Sequence, residues 1–313
     1  SCVMTTALIS PPDCLEHATP PGHPERPDRL RALEQVLCDE RFVTLLRVDA
    51  PLAEDAHILR AHPASHLERL LALAPTSGDV AIDADTHLSP ASIAAARRAA
   101  GAQIEAVDMV MSGEAANAFC ATRPPGHHAE AVRAMGFCLF NNAAIGALHA
   151  IEAHGLARVA IVDFDVHHGN GAQDIFERDG RVFYASTHEW PLYPGTGAAG
   201  ERGVGNIVNA PLPGLSTGQE FRAAYEREIL PALEAFRPDL LYISAGFDAH
   251  ARDPLSTIQL SERDFVWVTN ALCDVADACC GGRVVSTLEG GYDLEGLARS
   301  CAAHLQVLME RAT

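Results

Sequence analysis

The chain has 313 residues, of which 48% are hydrophobic, 20% charged and 6% aromatic, and this balance excludes a disordered chain. It carries 23 basic and 41 acidic residues, so the net charge of -18 argues against nucleic acid or an anionic membrane surface as a partner. No apolar run approaches the roughly 18 residues that span a bilayer, and we therefore expect no membrane segment and a cytoplasmic location.

Apolar runs alternate with segments of helical period from about residue 115 onward, which predicts a parallel sheet with crossover helices. The first predicted helices lie at 27–37 and 90–111, followed by a strand at 116–122, a helix at 142–154, and strands at 158–164 and 182–187. After a Gly- and Pro-rich loop at 193–215, predicted to be structureless and functional, come a helix at 219–236, a strand at 239–245, a helix at 262–279, a strand at 283–288 and a helix at 294–310. The sequence predicts a single α/β domain over 1–313, with a central, mainly parallel sheet and helices on both faces.

Unusual polar residues are concentrated directly after the predicted strands, in the segments 123–130, 165–170, 188–197, 247–253 and 289–292. Ligands of open α/β sheets bind beyond the carboxyl ends of the strands. We therefore expect these five segments to converge on one crevice.

Asp163, Asp165 and His167 alternate along the end of the strand at 158–164, so their side chains share one face. Burying such groups without a partner is costly, which favours a metal site over a solvated turn. Asp248, after the strand at 239–245, can supply a third ligand to Asp165 and His167 and leave room for water, as in catalytic zinc sites. His250 repeats the spacing as a rival ligand, but by that position we expect the chain to have left extended geometry.

His127 and His128 follow a Pro-Pro-Gly turn, and Tyr292 follows Gly-Gly after the last predicted strand. Beside a metal, the two histidines can act as a general base and its electrostatic partner. The phenol can donate a hydrogen bond to a developing oxyanion. Taken alone, the His-His pair also fits an ordinary surface.

Six motifs appear in order: Arg-Pro-Pro-Gly-His-His-Ala at 123–129, Gly-Phe-Cys-Leu-Phe-Asn-Asn at 136–142, Asp-x-Asp-x-His-His-Gly-Asn-Gly at 163–171, Tyr-Pro-Gly-Thr-Gly at 193–197, Ala-Gly-Phe-Asp-Ala at 245–249 and Leu-Glu-Gly-Gly-Tyr at 288–292. Together they resemble the zinc-dependent histone deacetylase family, which includes bacterial histone deacetylase-like amidohydrolases and acetylpolyamine amidohydrolases and has the arginase-deacetylase fold. His-Pro-Glu-Arg-Pro at 23–27 fits as well, so the resemblance extends from about residue 13 to about residue 305.

The resemblance implies one zinc ion per chain, bound by Asp165, His167 and Asp248. It also implies a catalytic set in which His128 is the general base for the attacking water, His127 its electrostatic partner and Tyr292 the oxyanion donor. Asp163 pairs with His127, and Asn170 lies beside His128. Since class I members have Asp at that last position, Asn170 makes the chain class II-like.

The resemblance further implies a channel for an acyl-lysine chain and structural potassium. Phe137 and Tyr193 wall the channel, the Gly136 carbonyl accepts the substrate N–H, and His188, Leu255 and Gly291 are further substrate-binding residues. The first potassium site consists of Asp163, Asp165, His167, Ser186 and Thr187, and the second of Phe176, Asp179 and Val182.

These residues predict a metal-dependent amidohydrolase that removes acetyl groups from primary amines. We expect acetyl-lysine side chains of a peptide or protein as substrate, and acetylated polyamines as the alternative. In polyamine-selective relatives a Glu follows the Asp-Pro after the third zinc ligand, whereas here Asp253-Pro254 is followed by Leu255, and no acidic insertion precedes Glu25. Against this, Glu16, Asp83, Asp85 and Glu189 lie in segments that can reach the mouth.

Two other functions and one assembly remain as alternatives. A non-catalytic acyl-lysine reader has no need of both a base and an oxyanion donor, so the complete set disfavours it. An arginase-like hydrolase would hold two metals, which metal content per chain distinguishes. A homo-oligomer is compatible with the sequence.

Overall fold

An eight-stranded parallel sheet forms the centre of the computed structural model, which describes residues 4–312. Its strands run in the order β2-β1-β5-β10-β9-β6-β7-β8, and every neighbouring pair is parallel. Two further strands, β3 and β4, form a separate antiparallel pair. The strand bounds are β1 Thr6–Ile9, β2 Leu46–Val48, β3 Val80–Ala81, β4 His87–Leu88, β5 Asn117–Cys120, β6 Val159–Asp163, β7 Val182–Glu189, β8 Ile207–Leu212, β9 Leu240–Ala245 and β10 Val284–Leu288.

Helices cover both faces of the sheet. One core cluster packs α1, α7, α8, α9 and α10 against one face, and a second packs α3, α4, α5 and α6 against the other. Alternate residues of one strand enter the two clusters, as Leu241 and Tyr242 of β9 do. The helix bounds are α1 Asp28–Val36, α2 Asp55–Ile58, α3 Ala64–Leu73, α4 Ser92–Ser112, α5 Asn142–His154, α6 Asn170–Phe176, α7 Gly218–Ala224, α8 Leu230–Phe236, α9 Glu262–Cys280 and α10 Leu294–Arg311.

The predicted α/β class, central parallel sheet and two helical layers are confirmed. The five strands predicted from apolar runs are β5, β6, β7, β9 and β10, and all their residues are buried, as expected of strands covered on both faces.

The prediction of a structureless loop at 193–215 is wrong, because β8 lies within it. Within residues 4–312 this strand pairs with β7 alone, and Pro211 inside it obscured it. An edge strand tolerates proline where its N–H would face away from the ladder.

The helix predicted at 219–236 is interrupted by a π-helical turn at Tyr225–Ile229, between α7 and α8. Pro231 lies in the first turn of α8 and cannot donate a helical hydrogen bond, which accounts for the local change. Among the helices of residues 4–312, none is long and apolar enough to cross a membrane.

Candidate active site

Asp165, His167 and Asp248 meet at the carboxyl edge of the sheet, where β6 and β9 end. His167 Nδ1 lies 3.0 Å from Asp248 Oδ2 and 3.4 Å from Asp165 Oδ1, and all three residues are buried. Their remaining carboxylate oxygens accept hydrogen bonds from backbone N–H groups, including those of Gly290 and Val166, both at 2.8 Å. This support holds the two carboxylates in place.

The charges of these three residues fit a bound cation. Burial and the neighbouring Asp165 raise the pKa of Asp248 to about 7. Burial by itself lowers the pKa of His167, but hydrogen bonds to Asp165 and Asp248 outweigh it and raise that pKa to about 10. Two buried carboxylates that stabilise a positive charge on His167 equally favour a metal ion, and two oxygens with one imidazole nitrogen form a donor set that suits zinc.

The two predicted histidines lie against this triad, and each has a partner of its own. His127 Nδ1 donates to Asp163 Oδ2 at 2.7 Å, and His128 Nδ1 donates to Asn170 Oδ1 at 2.7 Å. Asn170 Nδ2 in turn donates to Glu130 Oε2 at 3.0 Å, which fixes the amide so that its oxygen faces His128. His128 Nε2 is therefore the ring nitrogen left with a free lone pair for the site.

The surroundings shift the pKa values of His127 and His128 in opposite directions. For His127, burial lowers the pKa, but the charges of Asp163 and Asp165 outweigh burial and raise it well above its usual value. For His128, burial and then the nearby His127 lower the pKa well below its usual value. The pair therefore consists of a charged His127 and a neutral His128, and a neutral ring is what a general base requires.

Tyr292 follows the Gly-Gly turn after β10, and Arg29 of α1 supports it. The Arg29 guanidinium lies 5.0 Å from the Tyr292 ring and donates to the carbonyls of Gly291 and Glu289, both at 2.7 Å. Asp253 Oδ2 accepts the Tyr292 backbone N–H at 2.8 Å. Within residues 4–312 the phenolic hydroxyl has no protein hydrogen-bond partner, so it is available to a substrate.

A channel of about 310 Å³ leads from the surface to these groups. Its floor includes His128, His167 and Tyr292, and its walls include Gly136, Phe137, Tyr193 and Leu255. At Gly136 the backbone has φ +57°, and a side chain there would collide with the His128 ring, so only glycine fits.

Some predicted substrate-binding residues do not line this channel. His188 is buried, its Nε2 lying 2.8 Å from the Gly197 carbonyl and its Nδ1 2.8 Å from Ser186 Oγ. It differs from the prediction because β7 continues to Glu189, so position 188 still lies in a strand. Gly291 presents its carbonyl to Arg29 instead of the channel.

The rival ligand His250 and one mouth candidate, Glu189, also lie elsewhere. His250 is 3.5 Å from Glu262 and stays outside the triad. Glu189 is buried and hydrogen-bonded to Thr257. Of the four acidic residues considered for the mouth, Asp85 lines the channel.

The two predicted potassium sites differ in the partners they already have. Asp163 accepts from His127, Tyr184 and the Asp165 N–H, and Ser186 is paired with His188. At the second site, the carbonyls of Phe176, Asp179 and Val182 lie 2.7, 3.0 and 2.7 Å from one nitrogen, Asn206 Nδ2. This nitrogen has two protons for three acceptors, and Asn206 Oδ1 is buried without a partner among the described residues.

Sequence reasoning missed several residues that support the site. Glu289 Oε2 accepts the backbone N–H groups of Gly126 and His127 at 3.1 and 2.9 Å, and Tyr184 donates to Asp163 at 2.7 Å. Glu289 lies within a recognised motif, where a buried acidic residue before Gly-Gly is a usable signal. Tyr184 reads as an ordinary apolar position of β7, so nothing local indicates its role.

Comparisons with known proteins agree with this geometry. A family model described as histone deacetylase domain matches residues 23–308. The histone deacetylase-like amidohydrolase of Pseudomonas aeruginosa is 42% identical over 277 residues, which are 87% of this chain and 73% of that protein. An uncharacterised Synechocystis protein is 42% identical over 97% of this chain and 99% of its own length. The crystal structure of the HDA15 HD domain matches with a TM-score of 0.93 and 37% identity, covering 99% of this chain and 89% of that one.

Proposed function

This chain belongs to the histone deacetylase family and is a hydrolytic deacetylase, and we propose that it removes acetyl groups from lysine side chains with one zinc ion in the active site. The observation that carries the proposal is that one channel is lined by His167 of the triad, by the neutral His128 and by Tyr292, whose hydroxyl is free among the described residues. An acetyl group entering this channel meets a base and an oxyanion donor together.

Asp165, His167 and Asp248 hold the metal in this proposal. When bound there, a divalent cation polarises the acetyl carbonyl and makes the attacking water more acidic. Tyr292 donates its phenolic proton to the carbonyl oxygen as negative charge develops on it, an interaction stronger in the transition state than with the substrate.

His128 moves the protons of the reaction. Its Nε2 takes a proton from water as the water oxygen bonds to the carbonyl carbon, and the Asn170 oxygen stabilises the resulting imidazolium through Nδ1–H. When the carbon–nitrogen bond breaks, a proton from His128 passes to the leaving nitrogen, so the products are acetate and an amine. His127, held charged by Asp163, lowers the pKa of the adjacent His128 ring, so His128 is neutral before it takes the proton.

The channel walls favour an extended alkyl chain. Phe137, Tyr193 and Gly136 line the channel, and in this proposal the Gly136 carbonyl accepts the substrate N–H. Leu255 adds an apolar side chain at the same wall, where a second ammonium group of a polyamine would lose solvation without gaining a partner. Asp85 also lines the channel and would attract a second ammonium group, so acetylated polyamines stay the second candidate substrate.

Rates on an acetyl-lysine peptide and on an N-acetylated polyamine, with Leu255→Glu and Leu255→Gln, test the substrate assignment. A carboxylate at this half-buried position stabilises the ammonium group of a bound polyamine by about 1–2 kcal/mol. We therefore expect Leu255→Glu to raise kcat/KM for the polyamine roughly 5–30-fold. Leu255→Gln is the matched neutral control, for which we expect no such gain. A wild-type protein that strongly prefers the polyamine would contradict the acetyl-lysine assignment while leaving the hydrolysis chemistry in place.

Potassium belongs to the same proposal. The excess of carbonyl acceptors around Asn206, provided by Phe176, Asp179 and Val182, supports a monovalent cation at the second predicted site. In the same proposal Asp163, Asp165, His167, Ser186 and Thr187 hold the first potassium ion. Thermal unfolding in a potassium salt and in the salt of a bulky organic cation measures stabilisation by bound potassium. We expect a higher Tm in the potassium salt.

A further inference from the structure

A second cluster of metal-binding side chains lies between α4 and α5, away from the candidate active site. It consists of Asp108, near the end of α4, and of His149 and His154, in the last turns of α5. Asp108 Oδ1 is 2.7 Å from the Nε2 atoms of both histidines. Across residues 4–312 this is one of two groups in which three such ligand atoms lie within 4.8 Å of one another, the other being the triad.

We propose that Asp108, His149 and His154 form a second binding site for a divalent transition metal of the zinc class. Two imidazole nitrogens and one carboxylate oxygen are donors that zinc, nickel and copper accept, while magnesium and calcium prefer oxygen alone. Three protein ligands leave the remaining positions to water.

The burial of the three side chains suits such a site. The His149 side chain is 7% exposed and fixed by packing, whereas those of His154 and Asp108 are 26% and 48% exposed. Ligand atoms around a tetrahedral zinc ion are about 3.3 Å apart, given bonds of about 2.0 Å. The two more exposed side chains can therefore move outward by several tenths of an ångström to admit the ion, with His149 as the fixed ligand.

Arg60 provides a way to distinguish a metal site from a hydrogen-bonded cluster. Its Nη1 lies 3.1 Å from His149 Nδ1, and a guanidinium can only donate. His149 Nδ1 is therefore an acceptor, and its Nε2–H donates to Asp108. A metal ion binds the lone pair of that same Nε2, so the proton of the neutral ring must then be on Nδ1. The Nδ1–H group and the guanidinium of Arg60 are both donors and repel each other. Arg60 therefore lowers the metal affinity of the site.

Replacing Arg60 with glutamine reverses this effect. The amide oxygen of Arg60→Gln can accept Nδ1–H, as carboxylates and carbonyls do behind metal-bound histidines. We expect the variant to bind the metal more tightly, on the order of 10-fold. A cluster that serves only to join two helices by hydrogen bonds gives no such gain.

The position of the cluster on α5 separates it from catalysis. This helix begins at Asn142, where Asn141 and Asn142 donate to the carbonyls of Ala129 and Pro124 and so support the segment that carries the catalytic histidines. With a rise of 1.5 Å per residue, His154 lies about 18 Å further along the helix. Loss of this metal should therefore leave turnover unchanged, and two metals per chain would not by themselves indicate a two-metal active site.

Equilibrium dialysis with Zn²⁺ and metal analysis of the full chain tests the proposal. We expect the wild type to bind two ions per chain, and Asp108→Asn and His154→Gln to bind one fewer, with normal turnover. His57→Gln is the matched control, because its ring lies 5.6 Å from that of His149 but is not a ligand. Equal ion counts in the wild type, Asp108→Asn and His154→Gln would overturn the proposal, as would an unchanged affinity in Arg60→Gln.

The count of ions lost relative to the wild type does not depend on what the candidate active site holds. If that site fails to bind zinc, the wild type retains one ion and the two variants retain none. The failure of the proposed function is thus distinguishable from the failure of this second site.

Discussion

Replacement of Glu25 by glutamine tests the buried ion pairs behind Tyr292, the proposed oxyanion donor. Glu25 is fully buried, and its Oε2 accepts from Arg29 Nη1 at 2.8 Å and from Arg123 Nε at 2.7 Å. Arg29 donates to the carbonyls of Glu289 and Gly291 before Tyr292, and Arg123 begins the segment that ends in His127 and His128. One carboxylate therefore joins the supports of both halves of the catalytic set.

The size of the effect follows from the pKa of Glu25. Burial by itself raises this pKa, but the charges of Arg123 and then Arg29 outweigh burial and lower it from 4.5 to about 2. At 1.36 kcal/mol for each pKa unit, the carboxylate contributes about 3 kcal/mol to the free energy of unfolding at neutral pH. This value agrees with the loss of about 3–5 kcal/mol that usually follows removal of one partner from a buried ion pair.

Urea-induced unfolding at pH 7 measures this loss, with Glu34→Gln, an exposed position on α1, as the matched control at about 0.5 kcal/mol or less. Because the folded pKa lies below the unfolded one, the contribution is complete above pH 4.5 and disappears as the pH falls towards 2. The difference between wild type and Glu25→Gln should therefore shrink across that interval. A loss below about 1 kcal/mol at pH 7, or a difference independent of pH, would refute the reasoning.

Two further substitutions test the metal site and the placement of the phenol. A Cβ at Gly246 would overlap the Asp165 carboxylate, so Gly246→Ala should lower the metal affinity of the triad and the turnover roughly 10–100-fold, while Gly200→Ala, which meets nothing within 4 Å, should change neither; an unchanged metal affinity of the triad in Gly246→Ala would argue against Asp165 as a ligand. Asp253 accepts the backbone N–H groups of Tyr292 and Leu255 at 2.8 and 2.9 Å, and an asparagine offers one acceptor oxygen, so Asp253→Asn should lower kcat about 10-fold with little change in KM. The opposite split, a changed KM with kcat intact, would show that Asp253 does not position the phenol.

Long apolar runs made the centre of the fold predictable. Strands such as β6 and β9 are buried on both faces, so each residue of the run is apolar or lies at its polar end. Short strands escaped this criterion. In β2 two of three residues are exposed, and β8 is an edge strand that contains proline.

The candidate site was predictable where a motif lies within one strand end, and much less so where distant segments meet. Asp165 and His167 lie two residues apart in the bend directly after β6, which ends at Asp163, so their proximity follows from their short spacing although the strand does not extend to them. Arg29 contacts the carbonyl of Gly291, 262 positions away, and no local pattern contains that information. His188 was misplaced because the prediction ended β7 at residue 187, although the strand continues to Glu189.

Turnover of the metal-reconstituted protein tests the central proposal most directly, measured on an acetyl-lysine peptide and an N-acetylated polyamine with Tyr292→Phe in parallel. We predict that the wild type prefers the peptide and that Tyr292→Phe lowers kcat roughly 100–1000-fold, because it removes one oxyanion donor. Equal rates for wild type and Tyr292→Phe would contradict the account.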